Sequence, residues 1–293
     1  MKGNVLVIGW FSFELMGSTA GDVIAKDVAC RWLREAGLRP LVAMHEPKGS
    51  HDVPADVDPS GFDTVVFVCG PIGNGPPIAE YLERFSHART IGLDVTLLMD
   101  PAVWQPFDCL IQRDGGGQVR PDITFAAPPS DVPLVGVILV GSQDEYPTNR
   151  HDAVEAAFAE LLASRDVAAV PIDTRLDVNA GGLRTAAQVE SLIARMDAVL
   201  TTRLHGAALA LRRGVPPIAV DSVPGGSKLL AQMRHLGWPL AFDVADLDIV
   251  ELGAALDRAL QPATREEARR TAERAARHVA AVRDELLAAV VGS

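Results

Sequence analysis

The sequence predicts an α/β protein built on parallel sheets, because three features recur along its 293 residues. Short apolar runs without polar alternation indicate strands that are buried on both faces. A loop containing Gly, Ser or Pro follows most runs, and then comes a segment with apolar residues at helical spacing. Such alternation of strand and helix gives parallel strands joined by right-handed crossovers that cover both faces of a sheet.

The elements of the first half are predicted in the following order. They are strand Val5–Ile8, a helix from about Asp22 that Gly37 closes, strand Thr64–Val68, helix Ile78–Arg89 and strand Val95–Met99. The alternation of strands and helices is less clear through Pro101–Pro133, where Pro and Gly are frequent. Phe125–Pro133 is interpreted as a linker. Residues 1–130 are therefore expected to form one domain.

A second and more regular series begins at Leu134. Its predicted strands are Val135–Val140, Val167–Ile172, Ala198–Thr202, Pro217–Val220 and Leu240–Phe242. Its predicted helices are His151–Ser164, Thr185–Arg195, His205–Arg213, Ser227–Leu236 and Leu247–Leu260. These elements predict a second domain over residues 131–262.

The last segment, residues 263–293, is rich in Ala, Arg and Glu and predicts one long helix. An apolar stripe runs from Ala268 to Val290, and charges of both signs occupy the remaining positions. Interleaved charges are typical of a solvated face, so packing on the body of the protein is favoured over a membrane-surface or partner-binding role.

Composition limits the classes of function. The chain carries 27 basic and 38 acidic side chains, a formal net charge of −11, which argues against a broad nucleic-acid surface. Any anion-binding site must then consist of a few arginines and helix N-termini in one place. Cys30, Cys69 and Cys109 form no CxxC pair, which argues against disulfides and structural zinc. Glu14 interrupts the first apolar run, and no apolar run approaches a membrane span, so a cytoplasmic protein is expected.

The first candidate site is the loop between the first strand and the first helix. Gly21 would let a ligand approach the backbone, and the N–H groups at the helix start favour an anion. The loop is neither a P-loop nor GxGxxG, so it specifies no nucleotide. A simple turn, in which Thr19 or Asp22 caps the helix, explains the same residues equally well.

The second candidate site lies where the strand ending at Thr202 passes into the next helix. Arg203 can form two parallel hydrogen bonds with a carboxylate or a phosphate. His205 lies at the helix start, where the positive potential disfavours its protonated form and a bound anion would favour it. Gly206 would allow close approach of a ligand. A purely structural histidine is the alternative, but an arginine and a histidine together at the ligand-binding edge favour a functional site.

Two further cations follow predicted strands, Arg113 in the first half and Lys228 in the second. Each is a surface cation by default. His45-Glu46 with His51-Asp52 lacks the spacing of a metal site, so no metal is predicted. Asp144-Glu145 forms a carboxylate pair after a strand, with a solvent-facing loop as its default interpretation.

The segment from Asp197 through Arg203-Leu204-His205-Gly206, a helix, Gly214-Val215-Pro216, an apolar strand and Lys228 resembles the polysaccharide pyruvyl transferase family. The first half is also similar. Thr19-Ala20-Gly21-Asp22 stands at the turn after the first strand, Gln112-Arg113-Asp114 at a strand ending in Arg-Asp, and Pro121-Asp122-Ile123 before the domain crossover.

The resemblance implies two Rossmann-like domains in a glycosyltransferase-B-like arrangement, with the active site in the cleft. It implies transfer of a pyruvyl group from phosphoenolpyruvate to hydroxyls of a sugar or glycoside, with release of phosphate and without metal or cofactor. Residues 131–262 would hold the donor and residues 1–130 the acceptor. His205 would be the general acid, Arg203 and Arg113 would bind the donor, and Lys228 with Leu204 and Gly206 would complete its site. Asp22 would orient the acceptor or act as the base that deprotonates its hydroxyl, and Thr19 and Gly21 would complete that site.

Two alternatives stay open. One is a glycosyltransferase-B-type enzyme that uses a nucleotide sugar, since architecture does not fix chemistry. The other is a non-catalytic sugar-binding protein. The sequence fixes neither the acceptor nor the oligomeric state, and it is compatible with a homo-oligomer.

Overall fold

The computed structural model describes residues 4–14, 17–45, 52–114, 119–141 and 148–291. These residues fall into two compact units, an N-terminal unit (Met1–Ser130) and a C-terminal unit (Asp131–Ser293). Each unit contains one parallel sheet with helices, which confirms the predicted α/β class with two parallel sheets.

The N-terminal unit has a six-stranded sheet in the order β3-β2-β1-β4-β5-β6. Its strands are β1 (Asn4–Ile8), β2 (Arg39–Met44), β3 (Asp52–Pro54), β4 (Thr64–Ile72), β5 (Arg89–Leu97) and β6 (Cys109–Asp114). Its helices are α1 (Ala20–Glu35) and α2 (Ile78–Arg84). Every pair of neighbouring strands is parallel. This strand order is that of the dinucleotide-binding Rossmann sheet, in which the direction of winding reverses between β1 and β4.

Strand β1 shows why a continuous apolar run predicts a central strand. Leu6 and Ile8 pack into a core cluster with Phe67 on one face of the sheet. Val5 and Val7 pack into a second cluster with Ala25 of α1 on the other face. Both faces are therefore covered along Val5–Ile8, where all four side chains are apolar, and the one polar residue of the strand, Asn4, lies at its exposed start.

Several predictions for this unit differ from the structure, among them two strands, since β4 continues to Ile72 and β5 begins at Arg89 instead of Val95. Helix α2 ends at Arg84 instead of Arg89, because Arg89 already pairs with Thr64 as the first residue of β5. The predicted pattern also omits β2 and β3, which are short strands on the edge side of the sheet. Helix α1 begins at Ala20, two residues before the predicted start, because Thr19 is its N-cap.

The C-terminal unit has a five-stranded sheet in the order β11-β10-β9-β7-β8. Its strands are β7 (Leu134–Ile138), β8 (Ala168–Pro171), β9 (Ala198–Thr201), β10 (Pro217–Asp221) and β11 (Ala241–Asp243). Its helices are α3 (His151–Ala163), α4 (Ala186–Ile193), α5 (Leu204–Arg212), α6 (Lys228–Leu236), α7 (Ile249–Ala259) and α8 (Pro262–Val291). This order is flavodoxin-like, and the switch of direction falls between β7 and β9.

Helix α8 corrects the prediction that the whole C-terminal helix packs on the body. Its first turns contact α5 and α7 and bury Thr264, Ala268 and Thr271. In its second half the apolar stripe is exposed, with Val282 at 59% and Leu286 at 61%. Helical periodicity predicted the stripe correctly but could not show where its partner surface ends. In the ranges that the structure describes, no helix has both the length and the apolar character needed to cross a membrane.

Candidate functional site

A cavity of about 200 Å³ opens at the switch point of the C-terminal sheet. We call it the C-terminal cavity. It lies beyond the carboxyl ends of β7, β9 and β10, where parallel sheets place their ligand sites. Its polar and charged lining residues are His151, Thr202, Arg203, His205, Asp221, Ser222, Ser227 and Lys228. The structure thus brings three of the predicted site residues, Arg203, His205 and Lys228, together at one cavity, and Leu204 also lines it.

Two threonines at the end of β9 fix the backbone that carries Arg203. The Thr201 side chain is fully buried, and its Oγ1 accepts a hydrogen bond from the Arg203 N–H at 3.0 Å. Thr202 Oγ1 accepts the Val140 N–H at 2.8 Å, which ties the end of β9 to the chain after β7. The backbone of Arg203 is therefore fixed by hydrogen bonds at the carboxyl edge of the sheet.

Gly206 has a different role from the predicted one. It is buried and does not line the cavity. A Cβ at this position would lie 2.4 Å from Thr201 Oγ1 and 2.9 Å from Ile138 Cγ2. The glycine is required because the start of α5 packs directly on β9 and β7, and the prediction of ligand approach is corrected accordingly.

The start of α6 is stabilised by Asp221, which is 2% exposed. Its carboxylate accepts the Ser227 N–H at 2.7 Å, the Leu230 N–H at 3.0 Å and the Ser227 hydroxyl at 2.9 Å. The Asp221 carboxylate therefore already serves as an anion at the N-terminus of α6. The charged side chains of Arg203 and Lys228 outnumber it in the cavity lining.

The N-terminus of α5 has no comparable cap among the described residues, since its N-cap Arg203 forms no side-chain cap. The first-turn amides of any α-helix lack partners within the helix. The Nε atom of Arg203 is shut from solvent and has no hydrogen-bond partner in the part of the chain that the structure describes. A positively charged side chain and a helix N-terminus thus face the same cavity, and together they favour a bound anion.

A second pocket, of about 430 Å³, lies at the switch point of the N-terminal sheet between β1 and β4. We call it the N-terminal pocket. The predicted residues Thr19, Gly21, Asp22 and Arg113 all line it. Asp22 and Asp122 outnumber Arg113 in its lining, so this pocket is less suited to an anion than the C-terminal cavity.

Asp22 is the partner of Thr19 in a capping box at the start of α1. Its Oδ2 accepts the Thr19 N–H at 2.7 Å and the Thr19 hydroxyl at 2.7 Å, and its Oδ1 accepts the thiol of Cys69 at 3.1 Å. Burial opposes ionisation of Asp22, but these hydrogen bonds outweigh it and lower the pKa of the carboxyl group. The geometry supports the helix-cap alternative for Asp22 over the role of a base.

Arg113 is engaged by acidic neighbours. Its Nη1 lies 2.8 Å from Asp122 Oδ2 and 3.9 Å from Asp94 Oδ2, and its Nε lies 3.3 Å from Asp114 Oδ2. Its positive charge is therefore compensated within the N-terminal unit. Burial, and then the neighbouring Asp122 carboxylate, raise the pKa of Asp94, which is 3% exposed.

Some predicted residues lie outside the described part of the chain. These are Glu46, His51 and the pair Asp144-Glu145. Within the described ranges, no group of three or more His, Cys, Asp or Glu side chains is placed to hold a metal ion.

His151, Thr201 and Asp221 are site residues that the sequence did not predict. The spacing placed His151 at a helix start after β7, but its meeting with Arg203 depends on the pairing of β7 with β9, which are not consecutive in the chain. The pair Thr201-Thr202 directly before Arg203 is the sequence feature that could have identified Thr201.

Comparison with known proteins gives one family and several solved structures. The profile of the family described as polysaccharide pyruvyl transferase matches residues 79–222. No curated protein sequence is detectably similar to this chain. The chain shows a structural similarity to the spinosyn forosaminyltransferase SpnP, at 14% identity and a TM-score of 0.37, over 99% of this chain and 100% of that one.

Two further similarities are to sugar-transferring enzymes. The glycotransferase of kitacinnamycin is 14% identical, with 92% of this chain and 95% of that chain covered and a TM-score of 0.33. The ADP-heptose lipopolysaccharide heptosyltransferase II of E. coli is 15% identical, with 88% and 98% covered and a TM-score of 0.31.

The family match spans Arg113, Arg203 and His205 and ends just after β10. The prediction that the protein is a transferase is confirmed at the level of this family. The resemblance inferred from the Arg-Leu-His segment is likewise confirmed, and residues 79–222 of the chain carry the sequence pattern of the polysaccharide pyruvyl transferases.

Proposed function

We propose that the protein transfers a pyruvyl group from phosphoenolpyruvate to two hydroxyls of a sugar or glycoside, and that the C-terminal cavity binds the donor. The observation that carries this proposal is the lining of that cavity, where Arg203, Lys228 and the N-terminus of α5 meet His205. Phosphoenolpyruvate has a carboxylate and a phosphate, and these groups need several cationic or N–H partners in one small space.

The size of the cavity also supports a small donor. Its volume of about 200 Å³ is below the roughly 300 Å³ at which pockets for drug-sized ligands begin. Phosphoenolpyruvate is much smaller than a nucleotide sugar. The cavity therefore favours pyruvyl transfer over transfer from a nucleotide sugar.

The reaction begins with a proton from the His205 imidazolium to the methylene carbon of phosphoenolpyruvate, while an acceptor hydroxyl oxygen bonds to C2 and loses its proton. The bond between C2 and the phosphate oxygen then breaks. A second hydroxyl oxygen bonds to C2. The proton of the first hydroxyl restores the His205 imidazolium and the proton of the second leaves on the departing phosphate, so the products are a cyclic ketal and inorganic phosphate. Arg203 stabilises the departing phosphate because its charge is already in place when negative charge develops.

The N-terminal pocket is our proposed acceptor site. Its lining offers hydrogen-bonding groups, Thr19, Asp22, Arg113 and Asp122, with less positive charge than the donor cavity. Neutral hydroxyl groups of a sugar suit such a lining better than a phosphate does. Asp22 contributes by fixing the start of α1 at this pocket rather than by removing a proton.

The direct test is release of phosphate from phosphoenolpyruvate in the presence of a panel of glycosides, with mass spectrometry to detect the gain of a pyruvyl ketal. Wild type is expected to release phosphate only when an acceptor is present. His205→Ala is expected to lose about 10²–10⁴-fold in rate, the usual contribution of a general acid. Arg203→Ala is expected to lose activity to a similar extent, because the transition-state charge is left without its partner.

His235→Ala is the matched control, since His235 is an exposed histidine in the last turn of α6 and does not line the cavity. Thermal unfolding in the presence of phosphoenolpyruvate or of common nucleotide sugars separates the two donor classes. Stabilisation by a nucleotide sugar alone, or full turnover in folded His205→Ala, contradicts the proposal.

A further inference from the structure

His151 is a second histidine at the C-terminal cavity, and the reaction described above does not use it. It is the first residue of α3 and lines the cavity with Arg203 and His205. Both of its ring nitrogens are shut from solvent, and neither has a hydrogen-bond partner among the described residues. A buried polar group left in this state costs about 1–3 kcal/mol, so such groups are rare in folded proteins unless a partner arrives later.

The position of His151 is fixed by the backbone around it. The N–H of Arg150, the residue before it, donates to the carbonyl of Ser222 at 2.7 Å, which ties the start of α3 to the loop after β10. Further along α3, Val154, Phe158 and Leu161 are buried in the core of the unit. The start of α3 is thus anchored from two sides at the cavity.

The N-cap residue of α3, Arg150, forms no side-chain cap, and the same holds for Arg203, the N-cap residue of α5. Helices α4 and α7 of the same unit differ, since Thr185 and Asp248 cap them, and neither residue lines the cavity. Six buried side-chain atoms lack a hydrogen-bond partner among the described residues, and three of them, the Arg203 Nε and both His151 nitrogens, belong to residues that line this cavity. A bound anion would supply acceptors to the Arg203 Nε–H and to one ring N–H of His151.

We propose that His151 is a donor-binding residue, whose ring N–H donates to the carboxylate or phosphate of phosphoenolpyruvate in the C-terminal cavity. This inference rests on the proposed function and adds a specific residue to its donor site. His205 supplies the proton and His151 holds the anion. Because the contact exists before and during the reaction, its loss should raise KM for the donor more than it lowers kcat.

The test uses the full chain with two substitutions. His151→Phe keeps an aromatic ring but removes both nitrogens, and His151→Gln keeps an N–H donor. We expect His151→Phe to raise KM and the calorimetric Kd for phosphoenolpyruvate by about tenfold or more, the usual contribution of a hydrogen bond to a charged group. His151→Gln should recover part of this loss, and His235→Phe should leave both constants unchanged.

Thermal unfolding distinguishes ligand binding from a purely structural role. His151→Phe removes two unsatisfied buried nitrogens, so its midpoint without ligand should equal or exceed that of wild type, while the rise in midpoint on adding phosphoenolpyruvate should shrink. If His151→Phe fails to fold, His151→Leu, which also lacks both ring nitrogens, decides: an increase of about tenfold or more in KM and Kd supports the inference, and wild-type values overturn it.

Failure of this inference and failure of the proposed function give different results. If wild type binds phosphoenolpyruvate and releases phosphate but folded His151→Phe has the same KM and Kd, His151 has no role in donor binding. If wild type shows neither calorimetric binding nor phosphate release, the proposed function fails and the assignment of His151 fails with it.

Discussion

At the scale of single residues, the two candidate loops have different roles. The loop of Asp22 stabilises the fold, and the loop of Arg203 offers groups to a ligand. Asp22 satisfies its carboxylate entirely within the chain, through Thr19 and Cys69. The Nε of Arg203 is buried and has no hydrogen-bond partner within the described ranges. A side chain whose hydrogen bonds are complete stabilises the fold, whereas a buried donor without a partner at a cavity is a candidate for ligand contact. The two residues were similar candidates in the sequence, and only their partners distinguish them.

Asp22→Ala is expected to destabilise the protein by about 1 kcal/mol at neutral pH, because the capping box of α1 is lost. The pKa of Asp22 is lowered in the folded state. Its contribution is therefore fully present above the unfolded pKa of about 4 and is lost as the pH falls through the lower folded value. Urea denaturation should show a difference between wild type and Asp22→Ala at pH 7 that closes in acid.

Asp27→Ala is the control for this prediction, because Asp27 is exposed on the same helix beyond its first turn. The substitution should change stability little at any pH. A loss of about 10² or more in kcat for folded Asp22→Ala, without the loss of stability, would instead restore the role of a base.

At the scale of elements, the junction of β9 and α5 explains why the Arg-Leu-His segment needs a glycine next to it. We expect Gly206→Ala to destabilise the protein by about 1–3 kcal/mol, since the new methyl group would overlap Thr201 and Ile138. Because Thr201 also bonds the Arg203 backbone, turnover should fall as well. Chemical denaturation and phosphate release measure the two effects.

Gly21→Ala is the matched substitution near the start of α1. The nearest atom to a Cβ at Gly21 is Thr19 Oγ1 at 3.5 Å, so the methyl group has room. Alanine favours the helix over glycine by up to about 1 kcal/mol, and stability should be equal or higher. Equal stability of Gly206→Ala and wild type would show that α5 can move away from the sheet without cost.

The bounds of an element could be predicted where the local sequence determines them. They could not be predicted where they depend on which strands pair. The start of β9 at Ala198 and the end of α6 at Leu236 follow from apolar runs and from Gly237, which has a φ of +66°. Arg89 fitted the end of a helix by its local pattern, yet pairing with β4 makes it part of a strand. His151 was likewise placed on the right element, but its role depends on which strands are neighbours. Strand order is a property of the whole sheet, and no local pattern carries it.

At the scale of the whole molecule, a net charge of −11 coexists with a cavity that gathers positive groups. Arg113 is balanced by Asp94, Asp114 and Asp122 within its own unit, while Arg203 has no carboxylate partner among the described residues. The general acidity therefore does not argue against an anionic donor. Binding of an anionic donor depends on the local charge. Among the described residues that line the C-terminal cavity, Arg203 is an uncompensated cation, at the switch point of the C-terminal sheet.

This distribution of charge predicts which backbone amides a bound donor will protect from hydrogen exchange. A ligand at one hundred times its Kd stabilises the native state by about 2.7 kcal/mol, and amides at its site exchange more slowly. Hydrogen exchange with phosphoenolpyruvate should slow at the starts of α3, α5 and α6. Exchange in β2 and β3, at the edge of the N-terminal sheet, should not change. His205→Ala should keep this protection while losing turnover, because it removes a proton donor and leaves Arg203 and His151 in place. Protection confined to the N-terminal unit would move the donor site to the N-terminal pocket.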